Sequence, residues 1–180
     1  MTITLAIDTS TSRTCVAVIK GGEILWSAHR DGATEHGPAL PSLVQEGVKG
    51  FVIDEVVVGM GPGPYTGLRI GIAFAQSFAL AREISVRGVC SLDAIAAQVI
   101  DKDFIVTVDA RRKEVYWARY KDGIRVGEPA VSFPADVQAQ GVVIHADLYP
   151  EMKALVALAG DINEPIYLRR PDAVATADRS

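Results

Sequence analysis

The sequence has little of what a membrane, secreted or metal-binding protein needs. Its 180 residues include two cysteines and three histidines, and no apolar run approaches the roughly 20 residues of a membrane-spanning helix. Cys15 and Cys90 lie in unrelated contexts, which predicts two reduced, buried thiols. The opening Met1-Thr-Ile-Thr lacks the charged and apolar regions of a secretory signal. We therefore expect a cytoplasmic protein without membrane contact.

Basic charge is also scarce. The formal net charge is −4, and lysine and arginine form no basic stripe. Autonomous nucleic-acid binding depends on clustered cations against phosphates, so this composition argues against it. A minor contact within a larger assembly remains open. With 49% hydrophobic residues, the chain can bury one good core or two small ones.

Common catalytic motifs are missing as well. The sequence has no Gly-x-Ser-x-Gly, no Gly-Lys-Ser/Thr of a P-loop, and no dinucleotide fingerprint at the required spacing. Its histidines, His29, His36 and His145, form no His-x-x-x-His or His-Glu-x-x-His pair, so a helix-borne metal site is unsupported. This thin catalytic inventory favours a non-catalytic role.

The most informative segment is 59–71, which follows the apolar run 56–58 and leads into an apolar stretch reaching Ala81. This pattern predicts a strand, a tight loop and a helix. Glycine admits close backbone approach, whereas proline fixes φ and removes an N–H donor. A glycine-rich turn before a helix can cradle phosphate, which makes Gly61 and Gly63 candidate ligand-binding residues.

The helix that follows is apolar around most of its circumference. From Leu68 to Ala81, only Arg69, Gln76 and Ser77 are clearly polar, and they share about a third of the helical wheel. The remaining surface carries a row of small residues (Gly67, Gly71, Ala75, Ala79) beside a bulky row (Ile70, Phe74, Phe78). An interior glycine costs about 1 kcal/mol relative to alanine, so Gly71 indicates close approach by another element. In one interpretation the helix packs on the sheet of its own chain as a core helix. In the other its second apolar side docks a partner. The two interpretations are compatible.

Element order predicts a mixed sheet with helical cover. Gly21-Gly22 is expected to form the hairpin turn between the second and third strands, and Pro38 and Pro41 to lie in the first turn of the first helix. The predicted strands are 3–8, 14–20, 23–29, 52–58 and 84–89. The predicted helices run from about 38 to 49, from about 65 to 81, and from Ser91 or Asp93.

The pattern then restarts, which suggests a duplicated domain. Asp8, Lys20 and Gly22 recur 101 residues later as Asp109, Lys121 and Gly123. The second copy is short, with strands predicted at 104–109, 114–120, 124–133 and 142–145 and a helix near 150–159. We predict an N-terminal lobe over 1–102 and a shortened lobe over 103–180.

Two strand ends carry groups suited to chemistry. Asp8, Thr9 and Ser10 end the first strand with a carboxylate and hydroxyls, which can hold a metal-bound phosphate; the same residue types also simply favour turns. Asp109 ends the corresponding second-copy strand, and the cations that follow it are typical of solvated charge. A pair of such aspartates facing a cleft would suit a small two-lobed nucleotide phosphotransferase or ATPase.

Five segments together resemble the TsaB/YeaZ family of bacterial accessory proteins for tRNA threonylcarbamoyladenosine (t6A) synthesis. They are Leu5–Ser10, Gly59–Gly71, Gly88–Leu92, Asp109–Tyr116 and Glu164–Arg169. The resemblance spans most of the chain. It implies an actin-like ATPase (ASKHA, ribonuclease H-like) α/β fold with two related lobes, the second truncated.

The resemblance also implies a scaffold role. The family's catalytic paralogue TsaD transfers threonylcarbamoyl from its adenylate to N6 of the adenosine beside the anticodon, helped by TsaB-like proteins and the ATPase TsaE. TsaD carries a His-x-x-x-His metal motif, whereas here His36 is followed by Leu40 four residues on. The expected protein is therefore non-catalytic and lacks a metal, and a metallo-glycoprotease is the least favoured interpretation.

Partner and ligand sites follow from the same resemblance. Family heterodimers and homodimers use the first two helices, which correspond here to His36, Leu40, Leu43, Val44, Gly67, Ile70, Gly71, Phe74 and Phe78. The expected partners are a TsaD-like paralogue, a TsaE-like ATPase and, when alone, a second copy. Asp8, Thr9, Ser10, Gly61 and Gly63 would form a vestigial nucleotide site, with no resident cofactor beyond weak or interface-shared ATP or ADP. Pro64-Tyr65 stands where the family commonly has Ser-Phe, so one donor and one hydroxyl are missing.

Overall fold

The computed structural model describes residues 1–137, 139 and 141–169, so the end of the predicted second lobe lies outside the described residues. Nine strands are described: β1 (Ile3–Asp8), β2 (Arg13–Lys20), β3 (Glu23–Asp31), β4 (Glu55–Gly59), β5 (Ser85–Val89), β6 (Asp103–Asp109), β7 (Val115–Lys121), β8 (Ile124–Ser132) and β9 (Val143–His145). The α-helices in the described part are α1 (His36–Gly47), α2 (Tyr65–Leu80), α3 (Ser91–Ala96) and α4 (Met152–Ala157).

The strands form two sheets that share a four-strand arrangement, and the first sheet has one further strand, β5. The first has the order β3-β2-β1-β4-β5 and the second β8-β7-β6-β9. In each, the leading strand pairs antiparallel with the next strand and parallel with a later one, β4 for β1 and β9 for β6. The predicted duplication of the strand pattern is thus confirmed. The predicted boundary at residue 102 falls between α3 and β6, and the division into two domains stays a prediction.

The first sheet is buried on both faces because its strands alternate two apolar sets. Leu5 and Ile7 of β1 pack in one cluster with residues of α1 and α2. Ala6, from the opposite face, packs in a second cluster with Met152 and Leu155 of α4. Helix α3 contributes to a third cluster with β6 and β7. Helices α3 and α4 contact each other and so lie between the two sheets.

Two predicted boundaries were wrong. Helix α1 begins at His36, because the Ala39 amide already bonds to the Glu35 carbonyl (2.9 Å), so Pro41 lies inside the helix and not in its first turn. Strand β4 begins at Glu55 and not at 52. Before it, the Asp54 amide bonds to the Ile3 carbonyl.

The 101-residue offset also fails across the first hairpin of each sheet. Ile3 pairs with Lys20, but Asp103, and not Phe104, pairs with Lys121. The two copies therefore differ by one residue in register. Gly21-Gly22 forms the β2–β3 turn, as predicted, and both this turn and the β7–β8 turn contain residues with positive φ. Among the residues described, no helix is both long and apolar enough to span a membrane.

Candidate functional site

The β1–β2 turn is sealed inside the protein. Asp8 is 0% exposed, and its Oδ1 accepts hydrogen bonds from the Ser10 amide (2.8 Å) and hydroxyl (2.7 Å). Its Oδ2 accepts from the Ser91 hydroxyl (2.6 Å). Burial raises the pKa of Asp8, although the bonds from Ser91 and Ser10 oppose that rise. Thr9 and Ser10, its neighbours in the predicted nucleotide site, are each 1% exposed, and that site stays a prediction.

The glycines of the loop explain this seal. A Cβ at Gly63 would overlap the Ser10 carbonyl oxygen and lie 2.8 Å from the Ser10 Cα, and one at Gly59 would overlap the Asp8 carboxylate. At Gly61, φ is +94°, and a Cβ would lie 2.9 Å from Leu68. The loop therefore needs glycine to pack on the β1–β2 turn. Gly61 and Gly63 thus serve close packing here, and their predicted role in a phosphate cradle stays a prediction.

The same close approach continues along α2. A Cβ at Gly67 would lie 2.7 Å from the Thr9 carbonyl oxygen, and one at Gly71 would overlap the Thr9 hydroxyl. That hydroxyl donates to the Gly67 carbonyl (2.7 Å). The prediction that Gly71 marks a close neighbour is confirmed, and the neighbour belongs to this chain.

Most residues of the predicted partner surface are buried within this chain. His36, Leu40, Leu43, Val44, Gly67, Gly71 and Phe78 are all buried. Leu40, Leu43 and Val44 pack into the core between α1 and the first sheet, so they have almost no surface to offer a partner. Ile70 and Phe74 remain half-exposed. The interface itself stays a prediction.

An exposed apolar stripe does run along α2. Ile70 and Phe74 are half-exposed, Ala73 is exposed, and Leu80 is 81% exposed. Positions three and four apart share a helix face, so Ile70, Ala73 and Phe74 are neighbours on one face. Leu80 lies on the same side of the helix two turns further on, beyond the exposed Ser77. These four apolar residues are here called the α2 seam. Helix α2, whose sequence is apolar around most of its circumference, is thus buried on one side and exposed on the other.

His36 is a structural residue. Its Nδ1 lies 2.8 Å from the Thr14 hydroxyl, and burial lowers the pKa of His36, which favours a neutral imidazole. Leu40, at the position of the missing second histidine, is fully buried. Among the described residues, no group of three His, Cys, Asp or Glu side chains could hold a metal ion.

Neither cysteine is activated. Cys15 and Cys90 are both buried and free. Burial raises the pKa of Cys15 to about 12 and that of Cys90 to about 11. Both thiols are therefore protonated at neutral pH, and neither is a nucleophile.

A cleft of about 780 Å³ opens between the start of α2 and the β6–β7 turn. It is lined by Ala33, Thr34, His36, Gly63, Pro64, Tyr65, Thr66, Gly67, Ile70, Ala110, Arg111, Arg112, Tyr116, Tyr167 and Arg169. Three of these residues are arginines, three are tyrosines, and none is acidic. From the sequence, the arginines after Asp109 were interpreted as solvated charge and no tyrosine was predicted to bind a ligand, because only the fold brings these distant segments together.

The β6–β7 turn forms one wall of this cleft. Asp109 is exposed, and its Oδ1 accepts the Arg111 amide (2.9 Å). Arg111, Arg112 and Lys113 have φ of +60°, +54° and +65°, a conformation that non-glycine residues adopt at a cost. All three are exposed, so the turn presents a cationic edge.

Residues 160–169, here called the strap, connect the first sheet to this turn. Gly160 exchanges backbone hydrogen bonds with Gly88 of β5, and the Ile166 amide bonds to the Met60 carbonyl (2.8 Å). Further along, Arg169 donates to the Ala110 carbonyl (3.0 Å) and pairs with Glu114. The strap also lays the Tyr167 ring against Tyr65, with centroids 4.9 Å apart. The family motif 164–169 therefore holds one wall of the cleft against the other.

Comparison with known proteins agrees with this architecture. Residues 20–173 match the profile of the TsaD family, described as tRNA N6-adenosine threonylcarbamoyltransferase. An uncharacterized protein of Mycobacterium tuberculosis is 40% identical over 198 aligned residues, which cover 94% of this chain and 92% of the relative. The Escherichia coli tRNA threonylcarbamoyladenosine biosynthesis protein TsaB is 36% identical over 69% of this chain, but only 58% of its own length is covered.

Structural comparison points to the same group. YeaZ from Pseudomonas aeruginosa superposes with a TM-score of 0.74 and 28% identity, covering 93% of this chain and 100% of the YeaZ chain. The mixed sheets and their helical cover are the actin-like ASKHA fold that was predicted. The chain belongs to the TsaB/YeaZ family.

Proposed function

We propose that this chain is a non-catalytic accessory protein of t6A biosynthesis that binds a TsaD-type threonylcarbamoyltransferase. The relatives named TsaB support the pathway, and the matched TsaD profile supports a common origin with the transferase. The observation that carries the partner role is the α2 seam, an apolar strip left open on a helix whose other side is buried.

The seam is suited to a protein partner. Side chains such as Ile70 and Phe74 contribute about 1.5–3 kcal/mol each when they become fully buried, and both are already partly buried here, so roughly a third of that at most remains to be gained. A few such anchors dominate the energy of a typical interface. The exposed side of α1 carries Gly37, Pro38 and Pro41, which can extend the contact. The same strip would support a homodimer when the transferase is absent, and a TsaE-like ATPase would join the assembled pair.

The sealed β1–β2 turn favours this proposal over the rival one. An actin-like phosphotransferase using Asp8 and Asp109 needs both carboxylates at the ligand, but Asp8 is enclosed by Ser10, Ser91 and the glycine loop. Opening that site would require the loop to leave the turn. We therefore assign no resident cofactor, and any ATP or ADP would bind weakly or at the interface.

Light scattering after size exclusion tests the partner role, with the chain alone and mixed with the TsaD-type protein of the same genome. Phe74→Asp is expected to weaken the complex at least about tenfold, or 1.4 kcal/mol. Ala73→Glu, at an exposed seam position that contributes no core side chain, should act in the same direction without loss of packing. The matched control is Ile124→Asp, which replaces a 73% exposed residue of the second sheet and should change nothing.

Two results would overturn the proposal. One is a wild-type chain that stays monomeric and ignores the transferase. The other is robust ATP turnover by the isolated chain that Asp8→Asn abolishes, which would favour the phosphotransferase.

A further inference from the structure

The exposed side of α2 carries charge of one sign. Arg69 lies four residues before Ala73 on the same helix face, and Arg82 lies two residues beyond Leu80, where the helix ends. Both arginine side chains are exposed. Helix α2 itself contains no Asp or Glu, and the first acidic residue after it is Glu83. A molecule that covers the α2 seam therefore meets a cation at each end of its apolar contact.

Stacking holds both cations in place. The Arg69 Cζ lies 4.3 Å from the centre of the Tyr65 ring, and the Arg82 Cζ lies 3.7 Å from the centre of the Phe78 ring. Phe78 in turn stacks on Phe74 of the seam. A stacked guanidinium uses its flat face, so its N–H edge stays available for a carboxylate. Among the described residues, neither guanidinium forms an ion pair or a hydrogen bond. The seam thus has two positioned donors that lack an acceptor.

The spacing of the two cations defines the chemistry of a matching surface. They are 13 residues apart, which corresponds to roughly 20 Å along a helix axis, and the apolar residues of the seam lie between them. A complementary partner has an apolar helix face with a carboxylate near each end. A nucleic acid would neutralise the cations but would place its charged backbone against Ile70 and Leu80, so it matches this surface less well.

A second copy of the chain also matches it less well. A two-fold dimer through the seam brings α2 against α2. If the helices run antiparallel, Arg69 of one copy approaches Arg82 of the other, and if they run parallel, each arginine approaches its own equivalent. Like charges facing each other across an interface disfavour the complex. Helix α1 adds one acidic residue, the exposed Glu46, so a second copy offers one carboxylate on these helices for two cations.

We propose that Arg69 and Arg82 select the transferase over a second copy by pairing with carboxylates at the two ends of its apolar contact. This inference rests on the proposed function, in which the transferase covers the α2 seam. Apolar contact at the seam supplies affinity for either partner, whereas the two cations distinguish between them. Exposed charges of this kind act mainly on the association rate and on the choice of partner.

Charge reversal tests the selection. Binding of the TsaD-type protein of the same genome is measured by biolayer interferometry at about 50 mM and about 500 mM salt, and self-association by sedimentation. Arg69→Glu and Arg82→Glu should each weaken transferase binding about fivefold at low salt, chiefly through slower association. The loss should shrink at high salt, because the charges are exposed. Neither substitution should weaken self-association, because each replaces a repulsive contact.

Two sets of variants serve as controls. Arg69→Gln and Arg82→Gln remove the charge without adding a carboxylate, so each should weaken transferase binding by only about twofold. Lys121→Glu reverses an exposed cation at the end of β7 in the second sheet and should stay within about twofold of wild type. Circular dichroism of every variant checks that the fold is retained.

Cross-linking identifies the groups that the arginines meet. A zero-length carbodiimide joins an amine only to a carboxylate in direct contact. Arg69→Lys and Arg82→Lys keep the charge and introduce such an amine, which should cross-link to Asp or Glu of the transferase. Mass spectrometry of the cross-linked peptides locates the bond. The native amine of Lys121 should give no cross-link in the same complex.

Several results would overturn the inference. They are transferase binding within about twofold of wild type for both glutamate variants, equal losses at low and high salt, an equal loss of self-association, and no cross-link from either introduced amine. If Phe74→Asp disrupts the complex but the arginine reversals do not, the inference alone fails. If the wild-type chain does not bind the transferase at all, the proposed function fails, and the inference that names this partner fails with it.

Discussion

The β1–β2 turn and the β6–β7 turn start from the same chemistry and end in opposite environments. In each, an aspartate at the end of the strand accepts the amide two residues later, Ser10 for Asp8 and Arg111 for Asp109. Asp8 is fully buried, whereas Asp109 is exposed. The difference comes from what packs on each turn, because the glycine loop covers only the first.

This contrast shows that corresponding turns of two related sheets can have different structural roles. The first turn has lost access to solvent and contributes to the core, where Thr9 and Ser10 contact α2 and the glycine loop. The second turn keeps its backbone in a strained left-handed run and presents cations to the cleft. The cleft accordingly reaches the second turn and not the buried Asp8.

The largest effect is expected where the glycine loop meets the first turn. Gly63→Ala would drive a methyl group into the backbone of Ser10, and overpacking against backbone should cost about 3 kcal/mol of unfolding free energy. Urea unfolding followed by circular dichroism measures it. Gly37→Ala is the control, because a Cβ there meets nothing within 4 Å and helix propensity should stabilise by up to about 1 kcal/mol. Equal stability of the two variants would show that the loop does not seal the turn.

A pH series sharpens the comparison of the two aspartates. The unfolded chain releases the Asp8 proton near its ordinary pKa of 3.8, whereas burial makes the folded chain hold it to higher pH. Between those values the folded state binds more protons, so raising the pH destabilises it. The stability of wild type relative to Asp8→Asn should therefore fall as pH rises above about 4, with a slope of at most about 1.4 kcal/mol per pH unit. Urea unfolding of both proteins from pH 4 to pH 7 measures it, and a difference that is flat or rises would contradict a buried, desolvated carboxylate.

A smaller effect is expected at the strap. Arg169→Ala removes the donor to the Ala110 carbonyl and the partner of Glu114, which should cost about 1 kcal/mol. Because the loss is local, hydrogen exchange of the amides at 110–114 should accelerate while exchange in β1 stays unchanged. Arg119→Ala, which removes the similar pair with Asp103, serves as control. Unchanged exchange at the turn would mean that the strap does not hold it.

The smallest effect is expected at Asp109. Its one described side-chain contact is with the Arg111 amide, and an asparagine oxygen can accept the same bond. Asp109→Asn should therefore change the unfolding free energy by less than about 0.5 kcal/mol. Thermal unfolding provides the measurement. A loss comparable to that of Gly63→Ala would mean that the second turn is as deeply integrated as the first.

Local patterns predicted most of the secondary structure. Strand β1, helix α2 and the Gly21-Gly22 turn follow from alternation, helical periodicity and glycine chemistry, which act within a few residues. Long-range packing was harder to predict. Leu40, Leu43 and Val44, predicted as part of a partner surface, pack in the core of this chain, because an apolar helix face does not reveal whether it meets its own sheet or another molecule.

The candidate site was harder to predict from the sequence than the secondary structure. Asp8 and Gly63 were predicted as ligand-binding residues because their residue types suit phosphate, whereas Arg111 was interpreted as solvated charge. Tyr65 and Tyr167 both lie in segments that resemble the family, but a sequence motif does not show which residues contact each other. The two rings are about a hundred residues apart and meet only through the strap.

By itself, the sequence determined the family, the repeated strand order and the need for close approach at Gly63 and Gly71, since each depends on residue type and spacing along the chain. Only the tertiary structure decided which neighbour fills the space above each glycine, which aspartate stays in solvent and which side of α2 remains open. Those outcomes depend on atoms that are distant in sequence and compete for the same volume, and only the folded chain shows which of them occupies it.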